Sequence, residues 1–251
     1  MTWLEALAVL SAGAGAGTIN AVVGSGTLIT FPVLLAVGYP PLLANVSNNV
    51  GLVPGSVAAA FGYRRELAGQ WRRTLRLATA SVVGSVIGAI ALLVLPDDAF
   101  RAIVPAFIAL ALVLVVLQPR LSRRLAERPQ RPATRGGPAT TAAVGLTGVY
   151  GGYFGAAQGV ILVSLLGIAL PEPLQRVNAA KNVLAAAANG TAALIFVSVA
   201  EVSWTAAVLI AVGSSLGALL GARYGRRLPA GALRGLIVVV GLVAMAQLIV
   251  G

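Results

Sequence analysis

The sequence predicts an all-α integral membrane protein of two inverted repeats, each a broken or re-entrant helical hairpin followed by three transmembrane helices. Three observations predict it: a composition too apolar for water, an ungapped internal match, and arginines gathered at the ends of apolar runs. Hydrophobic residues fill 58% of the 251 positions and charged ones 10%, with a mean hydropathy of +0.92. A soluble domain carries roughly a quarter of its residues as charges. Several runs here instead reach the roughly 18 apolar residues that read as a bilayer crossing. The net charge of +11 would suggest nucleic acid in a soluble chain. Arginines flanking apolar runs are the pattern of cytoplasmic loops, so the expected surroundings are a lipid bilayer and no nucleic acid.

Apolar segments run at about 4–37, 42–62, 74–95, 99–118, 139–170, 174–199, 203–222 and 231–250. The first and fifth are too long for one simple crossing, and small residues interrupt them. One break falls at Gly24-Ser25-Gly26, the other between Gly151-Gly152 and Gly159; glycine is a poor helix former inside a run. Residues 119–138 hold six arginines and four prolines and read as a flexible, basic cytoplasmic linker between a first repeat, 1–118, and a second, 139–251. Met1 to Glu5 offers no positive region ahead of the apolar stretch, so no cleaved signal peptide is expected.

An offset of 133 residues, the separation of Trp71 and Trp204, aligns the two halves without a gap. It pairs Gly26 with Gly159, Pro40 with Pro173, Asn45 with Asn178, and Asn49-Val50 with Asn182-Val183. It continues through Ser81 with Ser214, Gly84 with Gly217, Gly88 with Gly221, and Leu95-Pro96 with Leu228-Pro229. Arginine placement gives the sense of the repeats, because short cytoplasmic loops carry the positive residues. The linker and the 63–73 loop are arginine-rich, the 96–98 turn carries Asp97 and Asp98, the 197–203 loop has Glu201 and no arginine, and 223–230 is again arginine-rich. An even number of crossings must then separate the linker from 223–230, so segments one and five each enter and return, or cross twice. Inverted repeats with broken helices are a transporter architecture, and broken backbone at depth must line a cavity or be buried in protein. The two breaks are expected to face each other across a solute pathway.

Polar residues collect beside the breaks. Asn45, Asn48 and Asn49 fall at spacings of three and four, as do Asn178, Lys181 and Asn182, so each set shares a helix face. Asn189 lies seven residues beyond Asn182, and Ser56 follows in the first half. Single asparagines commonly serve only as interhelical hydrogen bonds worth about 0.6 kcal/mol. Two repeat-related clusters beside two breaks point instead to substrate. Lys181 is the single lysine, inside an apolar run, where a charge costs about 2.5–3.5 kcal/mol on insertion scales. The bland alternative is snorkelling, since Lys181 sits two turns from the segment start. An ammonium, asparagine amides and free helix N-termini together suit an anion. The expected substrate-binding set is Asn45, Asn48, Asn49, Ser56, Asn178, Lys181, Asn182 and Asn189, with Gly24, Ser25, Gly26, Gln158 and Gly159 as backbone lining. The seven acids all lie at segment ends or in loops, which argues against a carboxylate-coupled cation carrier. Cysteine and histidine are absent, so thiolate and imidazole chemistry, disulfides and imidazole metal sites are excluded; no cofactor or enzyme activity is expected.

The stretches AGTINAVVGSGTLITFPVLLAVGYPPLLANVSNN, with Gly55-Ser56 and Tyr63-Arg64-Arg65 downstream, and RVNAAKNVLAAAANGTAALIF followed by Trp204, resemble the TauE/SafE family of membrane transporters. The resemblance covers nearly the whole chain apart from the linker. It implies transport, expected to be export, of a small, often sulfur-containing anion such as sulfite, a sulfonate or a related carboxylate across the bacterial inner membrane. The family's first repeat typically reads Thr-Asn-Lys where this chain has Ser47-Asn48-Asn49, while Lys181-Asn182 fits the second. The family's Val-Asp-Trp is replaced by Gly69-Gln70-Trp71 and Val202-Ser203-Trp204, so no role for that aspartate carries over. The alternative reading is a non-transporting membrane subunit that anchors or assembles a partner protein.

Overall fold

A computed structural model describes residues 1–126, 136–170, 172–224 and 230–250. Among them the chain is helical throughout its ordered elements: α1 (Trp3–Val22), α2 (Thr27–Ala36), α3 (Pro41–Gly62), α4 (Trp71–Val94), α5 (Asp97–Ala126), α6 (Pro138–Tyr153), α7 (Gln158–Ala169), α8 (Leu174–Val199), α9 (Trp204–Tyr224) and α10 (Ala230–Val250). Segments one and five are each two helices, α1 with α2 and α6 with α7, broken where glycine clusters. Among the described residues five helices are long and apolar enough to cross a membrane: α1, α4, α5, α8 and α9. Leu7, Val83, Ile87, Val94, Leu194 and Leu216 are exposed on them, a surface suited to lipid rather than water. Trp3, Trp71 and Trp204, each opening a helix, are also exposed, as interfacial tryptophans are.

The linker expected over 119–138 differs at its start. Helix α5 continues through Pro119 to Ala126, because a helix in or beside a membrane tolerates proline and needs no apolar face once it leaves lipid. Residues 127–135 of that linker, and Arg226 and Arg227 of the 223–230 loop, lie outside the described residues.

Several helix contacts fall at positions that the internal match pairs. Helix α1 lies along α9 and α6 along α4, while α3 and α8 cross each other at the centre. The glycines that align at the 133 offset make these contacts. A methyl group on Gly217 would overlap the carbonyl oxygen of Ala14, and one on Gly84 would overlap that of Gly145. Small residues let the backbones touch, the main source of helix association where hydrophobicity gives no preference. The hydroxyl of Ser81 donates to the Leu184 carbonyl at 3.1 Å, and Ser214, its counterpart, donates to Gly51 at 3.1 Å; these acceptors are also 133 apart. The Asn189 amide reaches its own counterpart, the Ser56 hydroxyl, at 3.4 Å where α8 crosses α3.

The two ends of the bundle are chemically unlike. At one end the close of α3 meets the start of α8, with Tyr63, Leu174 and Gln175 around one cavity, and Ala222 near the end of α9 packs beside Gly62. Arg64, Arg65, Arg73, Arg176 and Arg223 gather there. Glu172 ties α4 to α8, accepting from Arg73 at 2.7 Å and Arg176 at 2.7 Å. Gln70 joins them, accepting from Arg73 at 2.8 Å and donating to the Arg176 carbonyl at 3.0 Å. At the opposite end Ser203, the counterpart of Gln70, donates through its amide to Ser47 and through its hydroxyl to Tyr39, the counterpart of Glu172. One clamp is charged and the other neutral.

Burial alone would raise the Glu172 carboxyl, but hydrogen bonds from Arg73 and Arg176 and their charge hold it below its ordinary value. A depressed carboxyl contributes stability that is complete above its unfolded pKa, about 4.3, and is lost as pH falls through the folded value. Melting followed from pH 7 downward in detergent should drop below about pH 4.3 by roughly 2–4 °C more in wild type than in Glu172→Gln. Equal acid sensitivity would remove the clamp as the cause.

Gly217→Ala and Gly84→Ala should each lower the melting temperature, since overpacking costs about 1–3 kcal/mol. Gly190→Ala should be neutral or stabilising, because a side chain there meets nothing within 4 Å and alanine is the better helix former. Equal effects at all three positions would show that close backbone approach does not govern the packing.

Candidate functional site

Helix α1 ends because Gly24 takes φ +91°, a left-handed conformation that glycine adopts without a steric cost. The amides of Val23 and Gly24 both turn to the Ile19 carbonyl, so the carbonyls of Asn20 and Ala21 lose the acceptor role that a continuing helix would give them. Helix α8 supplies the missing donors. Lys181 Nζ donates to the Asn20 carbonyl at 2.8 Å and to Ala21 at 3.4 Å; Asn178 Nδ2 reaches Ala21 at 3.0 Å and Asn182 Nδ2 at 3.5 Å. Lys181 is 1% exposed and is the one charged side chain fully buried among the described residues. Its ammonium thus points at the carbonyl end of α1, where the helix dipole places negative potential.

The other break is built alike with different chemistry. Helix α6 ends with Phe154 and Gly155 both donating to Tyr150; Gly155, in the place of Gly24, has φ +74°, and Ala157 at the start of α7 has φ +58°. Asn45 Nδ2 donates to the Tyr153 carbonyl at 3.0 Å, matching the role of Asn178. No ammonium joins it, because Asn48 stands where the second half has Lys181 and accepts instead from the Thr30 hydroxyl on α2. Aromatic rings close around this break: Phe154 packs edge-on to Phe31 at 5.3 Å and lies near Phe100 and Phe107.

The two breaks meet directly, without the open space between them that the sequence suggests. The Gly159 amide donates to the Gly24 carbonyl at 3.0 Å, and a Cβ on either glycine would overlap the other's Cα. Absence of side chains at both positions permits that approach. Of the predicted lining, Gly26 donates to the Asn20 side chain at 3.4 Å. Ser25 is buried with its hydroxyl unpartnered, and Gln158 folds back to the Thr147 carbonyl at 3.4 Å. Asn49 is buried with its oxygen unpartnered, while Asn189 and Ser56 bond to each other. Asn178, Lys181 and Asn182 converge on one helix end, Asn45 serves the other, and Asn48 belongs to the α2–α3 contact.

Beside the first break lies a cavity of about 110 Å³, lined by Val22, Tyr63, Gln118, Val163, Gln175 and Asn178 among others. Gln118 and Asn178 each present a buried oxygen without a partner. Gln118 and Gln175 escape the sequence reading: Gln118 closes an apolar run just before Pro119 and Arg120, where a polar residue looks interfacial. Its entry into a cavity depends on how α5 passes α8. Among the described residues no group of histidine, cysteine or carboxylate side chains could hold a metal ion.

The chain is similar along nearly its whole length to known membrane proteins. It is 30% identical over 243 residues to the Escherichia coli K12 protein named "Probable membrane transporter protein YfcA", covering 93% of this chain and 86% of that protein. It is 28% identical over 238 residues to a Sinorhizobium protein named "Probable membrane transporter protein ORF9", covering 93% and 88%. A Haemophilus influenzae protein named "Probable membrane transporter protein" is 29% identical over 231 residues, covering 88% and 85%. No solved structure matches the chain. The family described as "Sulfite exporter TauE/SafE" matches residues 9–248, and with five membrane-length helices and two broken ones the chain belongs to this family of multi-pass membrane transporters, not to a family of enzymes.

Proposed function

We propose that the chain is a secondary transporter that exports a small anion, a sulfur oxyanion, organosulfonate or related carboxylate, across the bacterial inner membrane. The observation that carries the reading is the meeting of two helix breaks at Gly24 and Gly159, beside the buried charge of Lys181 and next to a cavity sized for a small ion. The family's description as a sulfite exporter supports the substrate class.

Residues 1–118 and 139–251 act as inverted repeats joined by a basic cytoplasmic segment at 119–138. In support, α3 ends where its counterpart α8 begins, at Tyr63 and Leu174, and starts beside Ser203 beyond the end of α8. At about 1.5 Å per residue α2 and α7 extend roughly 15 and 18 Å, half of a core about 30 Å thick, which suits re-entrant arms. The arginine-rich end faces the cytoplasm, so the cavity opens inward. Lys181 supplies the counter-charge for the anion while Asn178 and Asn182 hold the helix end beside it, Gly24, Ser25, Gly26 and Gly159 line the crossing, and Asn45, Asn48, Asn49, Ser56, Gln158 and Asn189 support it from the paired helices. An inside-negative potential drives an anion outward by about 2.3 kcal/mol per charge per 100 mV, so export needs no embedded carboxylate.

Proteoliposomes should show saturable flux of one member of a panel of sulfite, thiosulfate, sulfoacetate, a small carboxylate and chloride. In Lys181→Gln the flux should fall at least about tenfold, the loss of roughly 1.4 kcal/mol of interaction. Folded, inserted wild-type protein that moves none of them overturns the reading.

A further inference from the structure

We propose that the carbonyl end of α1 is a monovalent-cation site that Lys181 fills from within the chain, so that this half of the protein needs no free sodium or potassium ion. The proposal rests on the transport reading for its flux consequence only; the site itself stands on the geometry. Half-helix C-terminal ends and unwound carbonyls are where transporters hold coupling cations. Here the Asn20 and Ala21 carbonyls form such an end, freed by the turn at Gly24. The ammonium lies 2.8 Å and 3.4 Å from them, and no carboxylate is buried with it among the described residues. A buried cation whose counter-charge is a helix end occupies the position that a free ion would take.

Two further observations suit an ion there. Asn178 donates to the Ala21 carbonyl through its nitrogen, while its oxygen on the same carboxamide has no partner. That side chain also lines the cavity beside the break, together with Val22, the residue that follows Ala21. Removing the lysine stem leaves the Asn20 carbonyl without a side-chain donor and the Ala21 carbonyl with the Asn178 and Asn182 amides, next to the cavity that Asn178 lines. An ammonium group and a potassium ion are close in size, so the vacated space fits a small monovalent cation. The opposite break differs: Asn48 takes the lysine's place and bonds to Thr30, and a neutral amide from Asn45 serves the helix end.

The test measures melting temperature at constant ionic strength in sodium, potassium, ammonium or choline chloride. Wild type should give one value in all four. Lys181→Ala should melt lower in choline and recover, saturably and by about 3 °C or more, in at least one small cation. Lys181→Met, which keeps the stem without the charge and fills the space, should stay low in every salt. A purely structural lysine would produce no difference between small cations and choline in Lys181→Ala, and that result overturns the proposal. If Lys181→Ala does not insert, wild type decides: a saturable sodium or potassium response overturns the proposal, and melting and flux indifferent to both uphold it. Absence of anion flux from wild type would overturn the transport reading while the melting series still decides this one.

Discussion

A helix that stops within a membrane leaves carbonyl groups that hydrocarbon cannot satisfy, and the arrangement of this protein follows from how those groups on α1 are met. Two amides crowd onto Ile19, so Asn20 and Ala21 must find donors elsewhere. The donors come from one face of α8, at positions 178, 181 and 182, which fixes α8 against the end of α1. Ser81 and Ser85 on α4 hold α8 further along through the carbonyls of Leu184 and Ala188. Helix α4 in turn lies along α6 because Gly84 and Gly88 allow backbone contact. A break in the first half is thereby tied to the helix that leads to the break in the second.

The markers of the internal match are residues that cannot be exchanged cheaply. Trp71 and Trp204 open equivalent helices, Ser81 and Ser214 make equivalent hydrogen bonds, and Gly84 and Gly217 make equivalent close contacts. The spacing of Asn178, Lys181 and Asn182 correctly put three donors on one face. What the spacing could not say was which helix end that face meets. A broken helix offers amides on one side of the break and carbonyls on the other, and an ammonium beside the break can serve either as an anion's counter-charge or as a cap. The choice depends on the angle at which α8 passes α1, a tertiary quantity without a local trace in sequence.

Other parts of the site were hidden for related reasons. Gln158 sits at a break and reads as lining, yet its amide finds the Thr147 carbonyl on the preceding helix, because α7 folds back along α6. Asn189 and Ser56 read as separate polar groups, but as counterparts under the repeat they meet where α3 and α8 cross. Gln118 reads as the end of an apolar run, while α5 carries it into the cavity beside Asn178. Composition and period specify elements; contacts between helices far apart in sequence specify which polar groups face one another.

The two breaks are alike in backbone and differ in chemistry. Around the second break aromatic rings occupy the space, with Phe154, Phe31, Phe100 and Phe107 packed together and one neutral amide at the helix end. The helix ends superpose with Phe154 in the place of Val23 and Tyr153 in the place of Val22, so the first break has aliphatic side chains where the second has rings. Less volume leaves the cavity, and a lone buried cation leaves it electrostatically distinct. The charged Arg73–Glu172–Arg176 clamp stands at that same end, opposite the neutral Ser203–Tyr39 contact.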